Sequence, residues 1–214
     1  MEQQRRKTRQ ELRSEETKSS IRDAAGRLFT ARGYDAVTMR EIAKEAGCSH
    51  TTIYLYFKDK EALLEQLALP PLMVLEETMQ AVMNRPELSS TEALKEVSRQ
   101  FLRFCLSHKS MVTIILNVKS VRVDEANPDA DINRRRNRIF GCFTQILNRV
   151  IRPASDEEKI NYTRIYYYML HGMVTTYTEN EEPLEQLLAR ILPLLDQAID
   201  ILLLGMQAKL EQRG

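Results

Sequence analysis

Residues 38–57 read TMREIAKEAGCSHTTIYLYF, and the organisation of the chain is read outward from them. Thr38 and Ser49 are both good N-cap residues, since each side-chain oxygen can accept from a free backbone N–H of a first helical turn. Two helix starts therefore lie eleven positions apart. A first helix over about Met39–Ala46 turns Ile42, Ala43 and Ala46 inward and leaves Arg40, Glu41, Lys44 and Glu45 in water. Gly47 supplies the left-handed backbone that ends it. The second helix is too short to bury much, yet it carries His50, Thr51, Thr52, Tyr54 and Tyr56 beside apolar Ile53 and Phe57. Its polar residues are suited to contact with something outside the protein.

Charge supports that reading. The 31 Lys and Arg of the whole chain nearly cancel its 30 Asp and Glu, but residues 1–60 hold 13 basic against 9 acidic side chains, leaving 18 against 21 for the rest. The first quarter of the chain is its basic part, and a nucleic acid, if bound, would be held by a local patch there and not by the whole surface. A helix fits the major groove, and first-turn residues such as His50 and Thr51 are the ones that reach base edges there. Arg40 is long enough to reach the paired acceptors of guanine. Thr38, Tyr54, Tyr56 and Lys60 are suited to phosphate oxygens, which position a protein without reading sequence.

Other classes find less support. Cys48, Cys105 and Cys142 show neither a CxxC pair nor a histidine at ligand spacing, which argues against a zinc site and a disulfide framework and fits a reducing cytoplasm. No cofactor is expected. No nucleophile–base pair or phosphate loop points to an enzyme. The N-terminal residues are charged without an apolar core, unlike a secretory signal. Ile191–Met206 is apolar but contains Pro193, Asp196 and Asp200, which speaks against a membrane span.

Helical spacing runs through almost every long segment and sustained strand alternation through none, so the expected class is all-α. Helices are expected over about Glu16–Ala31, Ser90–Ser107, Ser110–Val121, from Asn127-Pro128 onward, from the Ser155–Glu158 capping box to about Thr178, and over Pro183–Leu210. Pro70-Pro71 is read as a helix boundary with Pro71 in a new first turn, because an interior proline loses a helix bond, the alternative being a joint between two working parts. Arg5, Arg6, Lys7, Arg9 and Arg13 form a basic arm expected to be disordered, the alternative being a minor-groove contact. Asn133–Arg138 is a dense positive run, NRRRNR, read as a solvated helix face that partly answers Asp129 and Asp131, the alternative being a site for an anionic effector. In the last helix too many leucines and isoleucines occur for one stripe, so one face meets its own core and the other calls for a second copy of the chain.

The order RLFTARGYDAVTMREIAKEAGCSHTTIYLYFKDKEALL, residues 27–64, resembles the DNA-binding domain of the tetracycline-repressor (TetR) family of bacterial transcriptional regulators. The likeness covers about Ser20–Leu67 and rests on Gly33-Tyr34, the Thr38 cap, Ile42-Ala43 with Ala46-Gly47, and Tyr54-x-Tyr56-Phe57-x-x-Lys60. It implies Arg40, His50 and Thr51 as base readers and Thr38, Thr52, Tyr54, Tyr56 and Lys60 as phosphate contacts, beside the Ser49 cap. It further implies an arm over 1–15, a three-helix helix-turn-helix domain over 16–60, and a helical effector-binding and dimerisation domain over 61–214. The homodimer would form through about 156–178 and 183–210. Phe104, Cys105, Met111, Phe143, Tyr167 and His171 are candidates to line a small-molecule pocket. The expected function is a cytoplasmic regulator, most simply a repressor released from double-stranded DNA by an effector. The alternative is a constitutive or architectural DNA-binding protein controlled by protein contacts.

Overall fold

The computed structural model describes residues 8–109, 131–153 and 155–212, and every regular element among them is helical. In chain order these are α1 (Arg9–Arg32), α2 (Met39–Glu45), α3 (His50–Tyr56), α4 (Lys60–Met83), α5 (Ser90–Ser107), α6 (Asp131–Ile151), α7 (Asp156–Tyr177) and α8 (Leu184–Glu211). The chain divides into two compact units, Met1–Ala68 and Leu69–Gly214. The expected helix over Ser110–Val121, the Asn127-Pro128 start and the candidate Met111 lie outside the described residues, as do Arg5, Arg6 and Lys7.

In the first unit α1 packs on α2 and α2 on α3. Their shared core is Ile21, Ala25, Phe29, Ile42, Ile53 and Phe57, each at most 2% exposed. The arm expectation is corrected at its C-terminal end, for α1 already begins at Arg9. Thr8 and Glu11 form a reciprocal capping box that satisfies two backbone donors before the apolar stripe begins. Arg9 and Arg13 are thus exposed residues of a helix.

The boundary reading of Pro70-Pro71 is also corrected, since α4 runs through both prolines. Each forfeits a backbone hydrogen bond, but Ala68 and Leu72 on either side are completely buried, so packing holds the helix together. Pro193 likewise lies inside α8.

In the second unit α5 packs against α6, α7 and α8. The α5–α8 seam is antiparallel and laced by charge: Lys95 pairs with Asp200, Arg99 with Asp196 and Arg103 with Glu185. Beneath it the Ser98 hydroxyl, which donates to the Leu94 carbonyl, lies 2.6 Å from the buried Tyr166 hydroxyl. Two links tie α4 to α6: Arg149 donates to the Met83 carbonyl at 2.9 Å, and Arg135 pairs with Glu76, itself almost fully buried. The last helix has the two faces its composition demands. Leu187, Leu188, Ile191, Leu195, Ile199 and Leu203 are buried, whereas Leu194, Ile201 and Leu204 stand 50–67% exposed. Ile165 and Tyr168 of α7 are also exposed. Among the described residues no helix is long and apolar enough to cross a membrane.

Candidate nucleic-acid interface and the core of the second unit

The local chemistry of residues 38–57 builds a helix-turn-helix. The Thr38 hydroxyl accepts from the Glu41 amide, while the Glu41 carboxylate accepts from the Thr38 amide at 2.9 Å and hydroxyl at 2.8 Å. Arg32 closes the corner from α1, donating to Glu41 at 2.8 Å and to the Ala36 carbonyl at 3.0 Å. Hydrogen bonds from Thr38 and then Arg32 hold the Glu41 carboxyl down to about 2. The turn is made by Gly47 at φ 69°, in the left-handed region where a side chain is strained. The Cys48 amide reaches back to the Ala43 carbonyl at 3.0 Å. Ser49 then caps α3, accepting from the Thr52 amide at 3.0 Å, with the two hydroxyls 2.7 Å apart.

These constraints put α3 on the surface with one side free. Ser49, His50, Thr51 and Tyr54 are exposed, and so is Arg40 on α2, whose side chain engages no partner among the described residues. The His50 and Tyr54 rings meet edge to face with centroids 5.1 Å apart, a contact that fixes the histidine one turn from the tyrosine. Thr52 and Tyr56 are half-buried. Leu55, which the sequence reading passed over, is 78% exposed on the same helix. An exposed leucine between two tyrosines is the signal that could have marked it.

Lys60 is placed differently from the expectation. Its ammonium donates to the carbonyls of Tyr34 and Val37, at 2.9 Å each, and lies 4.2 Å from the centre of the Tyr34 ring. Two of its three N–H groups therefore close the α1–α2 connection from within. Burial, with Glu61 nearby, pushes the Tyr34 phenol up to about 12.

In the second unit Cys105, Phe143 and Tyr167 are buried and His171 is half-buried. Phe143 and Tyr167 meet with ring centroids 6.3 Å apart, and Tyr167 and His171 at 6.4 Å. Phe101 and Phe140, not named from sequence, complete the cluster against Tyr167 at 6.0 and 5.6 Å. Phe104 is half-buried and stacks instead on His108, with centroids 4.5 Å apart. Burial raises the thiols of both Cys105 and Cys142, the latter to about 11, so neither is a ready nucleophile.

The solvated-face reading of Asn133–Arg138 is corrected. Arg134 and Arg138 are exposed, but Asn133 and Arg136 are 8% and 7% exposed. Arg136 falls four and seven residues before Phe140 and Phe143, on the inward stripe of α6, which is why it is carried into the core.

Comparison with known proteins follows the same division. Residues 21–67 match the family described as bacterial regulatory proteins, tetR family. An uncharacterized HTH-type transcriptional regulator of Mycobacterium tuberculosis is 53% identical over 51 residues, which make up 24% of this chain and 25% of that protein. The match thus spans about a quarter of that relative's length. Over most of the chain the likeness is one of fold. A tetR-family regulatory protein from Rhodococcus RHA1 superposes with TM-score 0.61 at 18% identity, covering 86% of this chain and 96% of that one. The regulator FadR from Bacillus subtilis, solved in complex with stearoyl-CoA, gives TM-score 0.57 at 23% identity, covering 83% and 96%. Residues 21–67 are thus a helix-turn-helix segment of the kind found in the tetR family of bacterial regulatory proteins, and the chain as a whole shares the all-helical fold of these solved regulators.

Proposed function

We propose that the protein is a cytoplasmic, homodimeric transcriptional regulator, a repressor that leaves an inverted-repeat operator when a small molecule binds its second unit. The observation that carries this is the surface of α3: a Ser49-capped helix with His50, Thr51 and Tyr54 exposed, beside an unengaged Arg40. Those side chains do no work in the core, and their types suit base edges and phosphates. Seven residues of helix are too small a contact to select one site in a genome, so a second copy is needed. The exposed Ile165, Tyr168, Ile201 and Leu204 on α7 and α8 offer a self-complementary apolar face for it.

Two reading helices about 34–36 Å apart enter successive major grooves on one side of the duplex. An effector that prefers another spacing weakens DNA binding by its differential affinity for the two states. The helix α4 starts in the first unit and continues into the second, which makes it the path for that coupling. The stearoyl-CoA in the B. subtilis structure supports a small organic effector here.

Selection of bound duplexes from random DNA tests the reading. An inverted repeat with half-site centres one helical turn, or a multiple of it, apart is expected. Enrichment of an asymmetric site, or none at all, would count against it.

A further inference from the structure

Three consecutive arginines of α6 meet three different environments. Arg134 pairs with Asp131, and Arg135 with Glu76. Arg136, the most deeply buried of them, has no carboxylate partner among the described residues. Among the described residues its one hydrogen bond is from Nη1 to the neutral Asn133 side-chain oxygen, at 3.0 Å, and its buried Nε finds no acceptor there. Among the described residues it lies over no aromatic ring within cation–π reach. A guanidinium remains charged in any protein environment, and burying it without a counter-ion is strongly unfavourable. A site that keeps such a charge holds a place for an anion that is not part of it.

The surroundings say what else that anion must carry. Tyr167 and His171, one turn apart on α7, both feel the Arg136 charge. Burial, and after it that charge, shifts His171 toward its neutral form, so it does not compete for an anion. Phe140 and Phe143 follow Arg136 along α6, and Phe101 and Cys105 face Tyr167 from α5. Around Tyr167 the neighbours are aromatic, and the charge nearest it is cationic.

We infer that Arg136 is the anchor for the effector, and that the effector is an amphiphile with an oxyanion head, a carboxylate or a phosphate, on an apolar body. This deepens the proposed reading of the second unit as the effector-binding part. A planar guanidinium whose Nη1 is held by Asn133 still presents Nε and Nη2, the two parallel donors that such heads accept.

Thermal-shift titration of the full chain with octanoate, laurate and benzoate, each against its primary amide, tests the head. Octyl phosphate and stearoyl-CoA form the phosphate arm. At least one anion should raise the melting temperature of the wild type more than its neutral counterpart does. Arg136→Gln should weaken that anion at least about tenfold, the loss of a charge-assisted bond, and leave the amide unchanged, while Arg136→Lys should retain part of the preference. Equal binding of acid and amide by the wild type, or an undiminished preference in Arg136→Gln, overturns the inference. Ligand-free Arg136→Met gives an independent arm. It should melt higher than the wild type, because a charge with no counter-ion is removed; a lower melting temperature would mean that the fold itself satisfies the guanidinium, and would overturn it too. Operator binding by the ligand-free wild type tests the regulator reading separately, since it does not depend on Arg136 finding its anion.

Discussion

The two units use polar side chains in opposite ways. In the first, the polar groups that matter lie outside: His50, Thr51 and Arg40 are exposed, and the caps at Thr38 and Ser49 satisfy the backbone beneath them. In the second they lie inside: Ser98, Thr163, Asn133, Arg136 and Glu76 are all buried. The exposed surface of the first unit is built from local rules, caps and a turn, whereas the core of the second is built from long-range packing.

Breaking the self-complementary face gives the largest expected effect. Replacing Ile201 and Leu204, both more than 60% exposed, with glutamate removes apolar contact without touching the core. The double variant should run as a monomer in sedimentation and lose at least about hundredfold in operator affinity, because two linked contacts become one. Wild-type protein diluted until it sediments as a monomer should melt at the same temperature as the variant, which separates loss of pairing from loss of fold.

Lys60 and His50 sharpen the contrast within the first unit. His50→Ala should relax base preference by about 1–3 kcal/mol at one position of each half-site and leave the melting temperature unchanged. Lys60→Met should do the reverse, lowering stability by removing the closure of the Tyr34 and Val37 carbonyls. Binding assays on matched and mismatched duplexes, with melts of each variant, separate the two. If Lys60→Met weakens all sequences alike and melts as the wild type, its ammonium acts on phosphate and not on the fold.

The smallest effect is that of acid on the α2 cap. Glu41 is held down to about 2 from the ordinary 4.5 by Thr38 and Arg32. A carboxylate whose folded value is depressed contributes stability in full above pH 4.5, and loses it as pH falls toward 2. Thr38→Ala should cost about 1 kcal/mol at neutral pH and flatten the acid limb over that window. Melts of the two proteins from neutral pH downward check it; parallel acid limbs would show that Thr38 does not set the Glu41 carboxyl.

Much of the first unit was legible because its determinants are local. Thr38, Gly47 and Ser49 announce caps and a turn within twenty residues, and the structure places them so. The start of α1 was missed because the Thr8–Glu11 box precedes the apolar stripe that marked the helix. The continuity of α4 was missed because two prolines argue locally for a break, while the burial of Ala68 and Leu72 that overrides them is tertiary. Arg136 was misread for a related reason. In a run of arginines, sequence gives each the same chemistry, and only the inward stripe shared with Phe140 and Phe143 singles one out. The two-faced α8 was readable from composition alone, since no single stripe accommodates its leucines.

The central claim is that two copies of α3 read one duplex. Titrating labelled operator with protein across a range of salt concentrations, and repeating it with a duplex carrying one intact half-site, tests it most directly. Two protomers per operator are expected, with a logarithmic affinity that falls steeply with the logarithm of salt and a large loss on the half-site duplex. One protomer per duplex, or equal affinity for operator, half-site and random DNA, would contradict it.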